Sequence, residues 1–420
     1  MAAATDPSTS TALITNDAVV MGLLAVTLGA IFWTASRPDG FWKKFYTYVP
    51  ALLLCYLIPA VYNSIGLIDG NASGLYPVAR DYMLPSALVL LCIAIDLGAI
   101  LRLGPKAVIM FLTGTIGVML GAVVAFGAMS VIHPETVAGD TWRGMTTVAG
   151  SWIGGGANQA AMKEVFEVDS NLFGQFIAVD VLVANVWMAV LLFLAARSEA
   201  FDRWTGADTS AIEDMKRRIE AYQAEHSRMP SLTDLMVILA VGLGATGLSH
   251  FLAEPMVAWI GSLPESWDLE AYSLTSGFFW MVVFATTIGL GLSFTRVRSL
   301  EGAGASRVGS AMLYVLVATI GMHMDIGALL ERPWLFALGL IWISVHAGLL
   351  LIMAKLIRAP LFFMAVGSQA NVGGAASAPV VASAFHPALA PVGVLLAVLG
   401  YALGTYCAYL TGQMLRVVAG

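Results

Sequence analysis

The chain has 420 residues, of which 59% are hydrophobic and only 11% are Asp, Glu, Lys or Arg, less than half the roughly 25% charge of a soluble domain. So few charges cannot cover a water-facing surface, and a mean hydropathy of +0.82 places much of the outside in lipid. The formal net charge of -6, from 21 basic and 27 acidic residues without a dense basic patch, offers nucleic acid no footing.

The opening segment, MAAATDPSTSTALITND, has no basic residue ahead of its apolar run, which argues against a cleaved signal peptide. Apolar runs follow at about 19–35, 49–68, 83–101, 106–131 and 172–196. A charged stretch fills 197–231, and further runs lie at about 232–251, 272–292, 308–330, 334–356 and 388–415. A helix needs roughly 17–25 residues to cross hydrocarbon. These runs are too long, and alternate too little, for barrel strands, so they are expected to be helices that satisfy their own backbone. Two further stretches, 145–166 and 361–385, are apolar but full of glycine and small polar residues. The predicted fold is an all-α polytopic membrane protein with about ten transmembrane helices plus two re-entrant or broken segments. The centre, AIEDMKRRIEAYQAEHSRM, reads as a short polar helix in a cytoplasmic linker, with partner binding as the alternative. Cys55, Cys92 and Cys407 each sit in an apolar stretch without paired spacing and read as small buried hydrophobes.

Basic residues orient the runs. Arg37, Lys43 and Lys44 occupy the first connector, Arg102 and Lys106 the third, Lys216, Arg217, Arg218 and Arg228 the centre, and Arg296, Arg298, Arg307, Lys355 and Arg358 the later ones. The intervening connectors are acidic. The alternation works when each odd stretch enters and leaves on one side. Both termini then lie outside the cytoplasm, in a bacterial inner membrane.

The halves 19–196 and 232–415 echo each other. Asp96 in Asp-Leu-Gly-Ala matches Asp325 in Asp-Ile-Gly-Ala, and each precedes a long span and a glycine-rich segment, VAGSWIGGGANQAAM from Val148 and AVGSQANVGGAASAPVV from Ala365. Five crossings per half would turn the second copy over, which is the plan of inverted-repeat transporters. A static scaffold or a pore is the alternative.

Gly154, Gly155 and Gly156, and Gly373 and Gly374, permit helix breaks at membrane depth, and Pro379 can begin the second half of the second broken helix. Ser151, Asn158 and Gln159, with Ser368, Gln369, Asn371 and Ser377, surround those breaks. Their oxygens can ligate a small cation, and freed N–H groups can hold a carboxylate. Asp180 lies inside an apolar run with Asn185 five positions on; it is the first candidate for a Na⁺ ligand or proton carrier, helped by Asn185, Asn158 and Asn371, with a neutral hydrogen-bonded acid as the bland reading. Asp96 and Asp325 read equally as helix caps or transport residues. Lys163 either counters a solute carboxylate or snorkels to the interface. His323 and His346 read as hydrogen-bonded core residues. The pair Gly117 and Gly121 reads as helix packing. No Walker A sequence, HExxH, paired cysteines or nucleophile elbow is present, so neither an enzyme nor an organic cofactor is expected.

On the residues SWIGGGANQAA and SQANVGGAASAPVVASAFHPALAPVGVLLAVLGYALGTY, the chain resembles the bacterial membrane-protein family called domain of unknown function 819, from about residue 21 to 415. That family is similar to the sodium/glutamate and bile-acid/sodium symporters. The resemblance implies inverted repeats, interleaved core and panel domains, a possible homodimer, and Asn158 and Asn371 at crossing broken helices. The glutamate symporters' solute residues do not match one by one, so it implies secondary transport of a small organic solute, a carboxylate or amino acid, without naming it. A channel or a non-transporting receptor is the alternative.

Overall fold

A computed structural model describes residues 12–37, 39–49, 51–207, 230–264, 267, 269–270, 272–324, 332–386 and 389–420. The polar centre at 211–229 and Asp325 lie outside the described residues. In chain order the helices are α1 (Asp17–Ala35), α2 (Gly40–Tyr48), α3 (Ala51–Ser64), α4 (Leu75–Val78), a π-helical turn (Ala79–Met83), α5 (Leu84–Ile93), α6 (Leu97–Arg102), α7 (Pro105–Ile132), α8 (Pro134–Val137), α9 (Thr141–Gly154), α10 (Gly156–Val165), α11 (Ser170–Ala195) and α12 (Ser198–Thr205). Then come α13 (Leu232–Gly261), α14 (Gly277–Ser293), a 3-10 turn (Arg296–Ala303), α15 (Ala305–Gly321), α16 (Trp334–Leu356), α17 (Leu361–Val372), α18 (Gly374–Phe385) and α19 (Ala390–Ala419). Local sequence explains several starts. Asn16 caps α1, Asp169 caps α11, and Ser231 with Asp234 forms a capping box on α13, each supplying acceptors to unpaired first-turn N–H groups.

Among the described residues there is no strand, only the isolated bridge between Ile14 and Ile68. Six helices are long and apolar enough to cross a membrane, and up to eight spans result if each of two bent pairs counts as one. The chain is thus a multi-pass membrane protein. The run at 83–101 is not one helix. The column starts earlier, at Leu75, passes through the π turn and stops at Ile93; Asp96 then caps α6 by accepting from the Ala99 N–H at 2.9 Å.

The helices pack in two groups. In the first, α5 and α15 lie side by side; α1 and α3 pack on α15, while α13 and α14 pack on α5. The second holds α7, α9, α10, α11 and α16 to α19. Within it, α7 and α16 pack closely because Gly117 and Gly121 have no side chains. A Cβ on Gly117 would stand 3.1 Å from His346 Cα, and one on Gly121 2.9 Å from the Trp342 carbonyl oxygen.

Both glycine-rich segments are hairpins, α9–α10 and α17–α18. At the base of the first, the Trp142 and Phe166 rings meet edge to face at 5.9 Å, and Arg143 Nη1 donates to the Phe166 carbonyl at 2.9 Å. At the base of the second, Phe362 and Phe385 meet at 5.4 Å. Near the first tip a Cβ on Gly150 would stand 2.7 Å from the Asn158 carbonyl oxygen, so the arms fold back on each other. In place of the crossing broken helices implied by the resemblance, each segment folds back on itself.

The hairpins start from opposite ends of the molecule. The first base adjoins the C-terminal end of α7, where His133 stacks on Trp334 and Arg332 donates to Thr141 Oγ1. The second base adjoins its N-terminal end, where Lys106 Nζ donates to the Arg358 carbonyl at 2.9 Å and Asp202 accepts from the Leu361 N–H at 2.7 Å. These are here the Arg143 end and the Lys106 end. They are separated by α7, 28 residues long or about 42 Å of helix.

Gly121→Leu is expected to cost about 1–3 kcal/mol by overpacking α7 on α16 and to lower the melting temperature in detergent. Gly29→Leu on the open side of α1, where a Cβ meets nothing within 4 Å, should shift stability by no more than about 0.5 kcal/mol. Equal melting of the two variants would contradict the packing assigned to α7.

Candidate functional site

The first hairpin turns at Gly155, with φ +76° and ψ -173°, a conformation that side-chain-bearing residues avoid. Asp180 of α11 holds the two arms together. Its Oδ2 accepts from Ser151 Oγ at 2.6 Å and Gln159 Nε2 at 2.9 Å, and its Oδ1 accepts from Trp152 Nε1 at 2.6 Å. Ser151 and Trp152 lie on one arm and Gln159 on the other. Asp180 is 5% exposed, and no Lys or Arg pairs with it among the described residues. Three neutral donors thus surround a group that could instead carry a proton or contact a cation. The Tyr56 ring packs on Phe173 of α11 at 6.0 Å, and its buried hydroxyl has no partner.

Asn158 and Asn371 make one pattern twice. Asn158 Nδ2 donates to the Gly154 carbonyl at 3.0 Å and the Tyr401 carbonyl at 2.9 Å, and its Oδ1 accepts from Thr405 Oγ1 at 2.6 Å. Asn371 Nδ2 donates to the Gly367 and Phe111 carbonyls, each at 2.9 Å, and its Oδ1 accepts from Thr115 Oγ1 at 2.8 Å. Each amide joins the carbonyl four residues back to a carbonyl and a threonine spaced i, i+4 on a neighbouring long helix, which lie on one helix face. Thr286 Oγ1 meets Thr405 Oγ1 at 3.0 Å and extends the first chain to α14.

Close approach depends on glycine. A Cβ on Gly404 would stand 2.6 Å from Gly154 Cα, and one on Gly393 2.6 Å from the Ala378 carbonyl oxygen, so α19 runs against both hairpins.

In the second hairpin, Ser368 takes the place of Ser151 but meets no carboxylate. Trp187 Nε1 donates to Ser368 Oγ at 2.8 Å, and Ser368 Oγ lies 2.8 Å from His346 Nε2. His346 Nδ1 lies 3.0 Å from the Gly114 carbonyl. Since a carbonyl only accepts, Nδ1 carries the proton and Ser368 donates to Nε2. Gln369 Nε2 donates to Ser377 Oγ at 2.7 Å. The Oε1 atoms of Gln159 and Gln369 are buried and accept nothing, unusual enough to mark candidate ligand positions.

Other candidates fall elsewhere. Asn185 turns its amide to the Val181 carbonyl of its own helix at 2.7 Å, one turn back and away from Asp180. Pro379 does not begin the second arm: the break lies at Gly373–Gly374, where Gly374 has φ +58°, and Pro379 sits inside α18. Asp96 caps α6 and pairs with Arg298 at 3.1 Å. Lys163 is buried against Glu164 rather than snorkelling. Cys55 and Cys92 are buried and Cys407 half-buried. Thr115, Trp152, Trp187, Tyr401 and Thr405 were not singled out as partners in the sequence. Their signals are slight: a threonine in an apolar run, or an indole N–H that needs an acceptor.

Asp180 ties the arms of the first hairpin together, and the asparagine amides satisfy the carbonyls near both tips. Asn371→Ala and Thr115→Val should each destabilise the protein by about 1–3 kcal/mol. The double variant should fall short of their sum by about 0.5–3 kcal/mol, read from melting of the four proteins. Strict additivity would show that the two side chains do not share a bond.

The chain is 23% identical over 356 residues to the uncharacterized membrane protein YjcL of Bacillus subtilis (strain 168), a match covering 84% of this chain and 86% of YjcL. The model of the family described as Protein of unknown function (DUF819) matches residues 22–418, and the chain belongs to that family.

Proposed function

We propose that this protein is a secondary active transporter that couples a Na⁺ or H⁺ gradient to movement of a small organic solute, a carboxylate or amino acid, by alternating access. The observation that carries the reading is the pair of re-entrant hairpins, entering from opposite ends, each with a buried glutamine oxygen that accepts no hydrogen bond. Irregular main chain is tolerated at membrane depth where it is enclosed by protein or lines a polar path. Half-helices ending there, with α10 and α18 starting at the tips, present N–H groups to an anion beside the cation.

The helix pairing supports an inverted repeat. Exchanging α1, α3 and α5 for α13, α14 and α15 reproduces the first group's contacts, with α5 and α15 at its centre. Counting the shorter α4–α5 column and α15 as spans, and α2 as a helix beside the membrane, gives ten crossings. Arg102, Lys106, Lys355 and Arg358 gather at the Lys106 end, which supports reading it as the cytoplasmic face with both termini on the other side. On this reading the hairpin-bearing group moves against the other, carrying Asp180. Membrane potential contributes about 2.3 kcal/mol per charge moved per 100 mV.

The test is uptake into proteoliposomes from a pool of organic acids, amino acids and peptides, with Na⁺ and H⁺ gradients imposed separately. Accumulation should require one gradient and be lost in Asp180→Asn, which keeps the shape of the site and removes its charge. Flux that neither saturates nor responds to either gradient would make the protein a pore and sink the proposal.

A further inference from the structure

Tyr76 and Arg80 stand at the start of the α4–α5 column in the first helix group, while Lys163 and Glu164 end the first hairpin in the second. These four side chains converge at the Arg143 end. Glu164 Oε1 accepts from Lys163 Nζ at 2.9 Å and from the Tyr76 hydroxyl. Lys163 Nζ also donates to the Tyr76 hydroxyl oxygen at 2.9 Å, and Arg80 Nη1 stands 3.8 Å from Glu164 Oε2. The Lys163 and Glu164 side chains are only 8% and 12% exposed.

Other groups complete the cluster. Asp81 pairs with Arg80 at 2.8 Å, and its carbonyl oxygen meets His250 Nε2 at 2.8 Å. Arg80 lies over the Phe278 ring, Lys163 over Tyr76 and Phe173, and the His323 ring packs on Tyr76 at 4.9 Å. Two cations balance two carboxylates. Burial makes such a network costly to break by removing one member. Arg80 and Asp81 are carried by the π-helical turn Ala79–Met83, a feature that often marks functional sites in helices. Lys163 and Glu164 form the buried part of the network, while the Arg80 and Asp81 side chains are 37% and 32% exposed.

We propose that this cluster is a charge latch joining the two helix groups at the Arg143 end, and that the path to the hairpin tips opens there when Glu164 leaves Tyr76 and Arg80. The latch rests on the transport reading insofar as it requires the groups to move against each other. Tyr76 bridges them by accepting from Lys163 and donating to Glu164, so loss of either partner leaves the hydroxyl half-satisfied.

A cysteine at Leu313 reports on opening. Leu313 belongs to α15, and a Cβ on Gly156 at the hairpin tip would stand 3.6 Å from its Cδ2, so it lies between the groups. In a Cys407→Ser, Leu313→Cys chain reconstituted in vesicles of each orientation, labelling by a membrane-impermeant maleimide is measured above the chain lacking the new cysteine. Glu164→Gln should raise labelling from the Arg143 end about tenfold, the effect of losing one charge-assisted bond, without raising it from the Lys106 end. If Glu164→Gln does not fold, Tyr76→Phe, which removes only a hydroxyl, provides the same readout. No rise in a folded variant, or an equal rise from both ends, overturns the latch. Because labelling needs no solute, failed uptake with one-sided labelling would leave the latch and remove transport; gradient-driven uptake with unchanged labelling would remove the latch alone.

Discussion

A helix that stops inside an apolar interior exposes main-chain groups which neither lipid nor packed side chains can satisfy. This constraint shapes the second helix group. Both hairpins turn inside it, and their tips are paired by two means: asparagine amides that join each tip to a neighbouring helix, and glycines that let α19 approach the turns. Without the close approach, Asn158 could not reach the Tyr401 carbonyl; without the amide, the approach would bury an unpaired carbonyl. Glycine and asparagine are therefore one device here, used twice.

Much of this was legible in sequence because the device is written in residue types. Glycines beside amides inside apolar runs have little use in a plain membrane helix, and the paired glycine-rich segments from Val148 and Ala365 mark both hairpins. The Lys and Arg distribution calls for each segment to enter and leave on one side, and the aromatic contacts at the hairpin bases show each folding back on itself. The hidden part was the partner side. Tyr401 lends a carbonyl, which every residue has, and Thr115 and Thr405 lend hydroxyls that a helix ordinarily turns back on itself. The span drawn through Asp96 failed for a local reason: hydropathy runs smoothly across a residue whose side chain starts a new helix. Pro379 misled similarly, since proline can open a helix, while the Gly373–Gly374 pair made an earlier break cheaper.

The two hairpins are alike in main chain and unlike in charge. Asp180 joins the arms of the first through an acid, whereas Ser368 fixes the second through a neutral chain of indole, hydroxyl and imidazole. Both attachments issue from α11. Asp180 and Trp187 are seven residues apart, two turns on one face, so a single helix holds the first hairpin by a charge and the second by a dipole.

That asymmetry bears on the proposed coupling, because of the two attachments only the first offers a carboxylate. A proton or cation arriving at Asp180 changes the acceptor offered to Ser151, Trp152 and Gln159, and so changes the hold between the arms of the first hairpin. The second hairpin has no carboxylate in its chain; its attachment runs through Trp187, Ser368 and His346. In the proposed transporter the first arm pair would answer to the ion while the second stays held to α7 and α16, with α11 joined to both. The ion-pair network at the Arg143 end of the first hairpin includes Lys163 and Glu164, at the end of the arm that bears Gln159. Gln159, which donates to Asp180, is thus one short helix, α10, away from the contact of Lys163 and Glu164 with Tyr76, one of those that join the two groups.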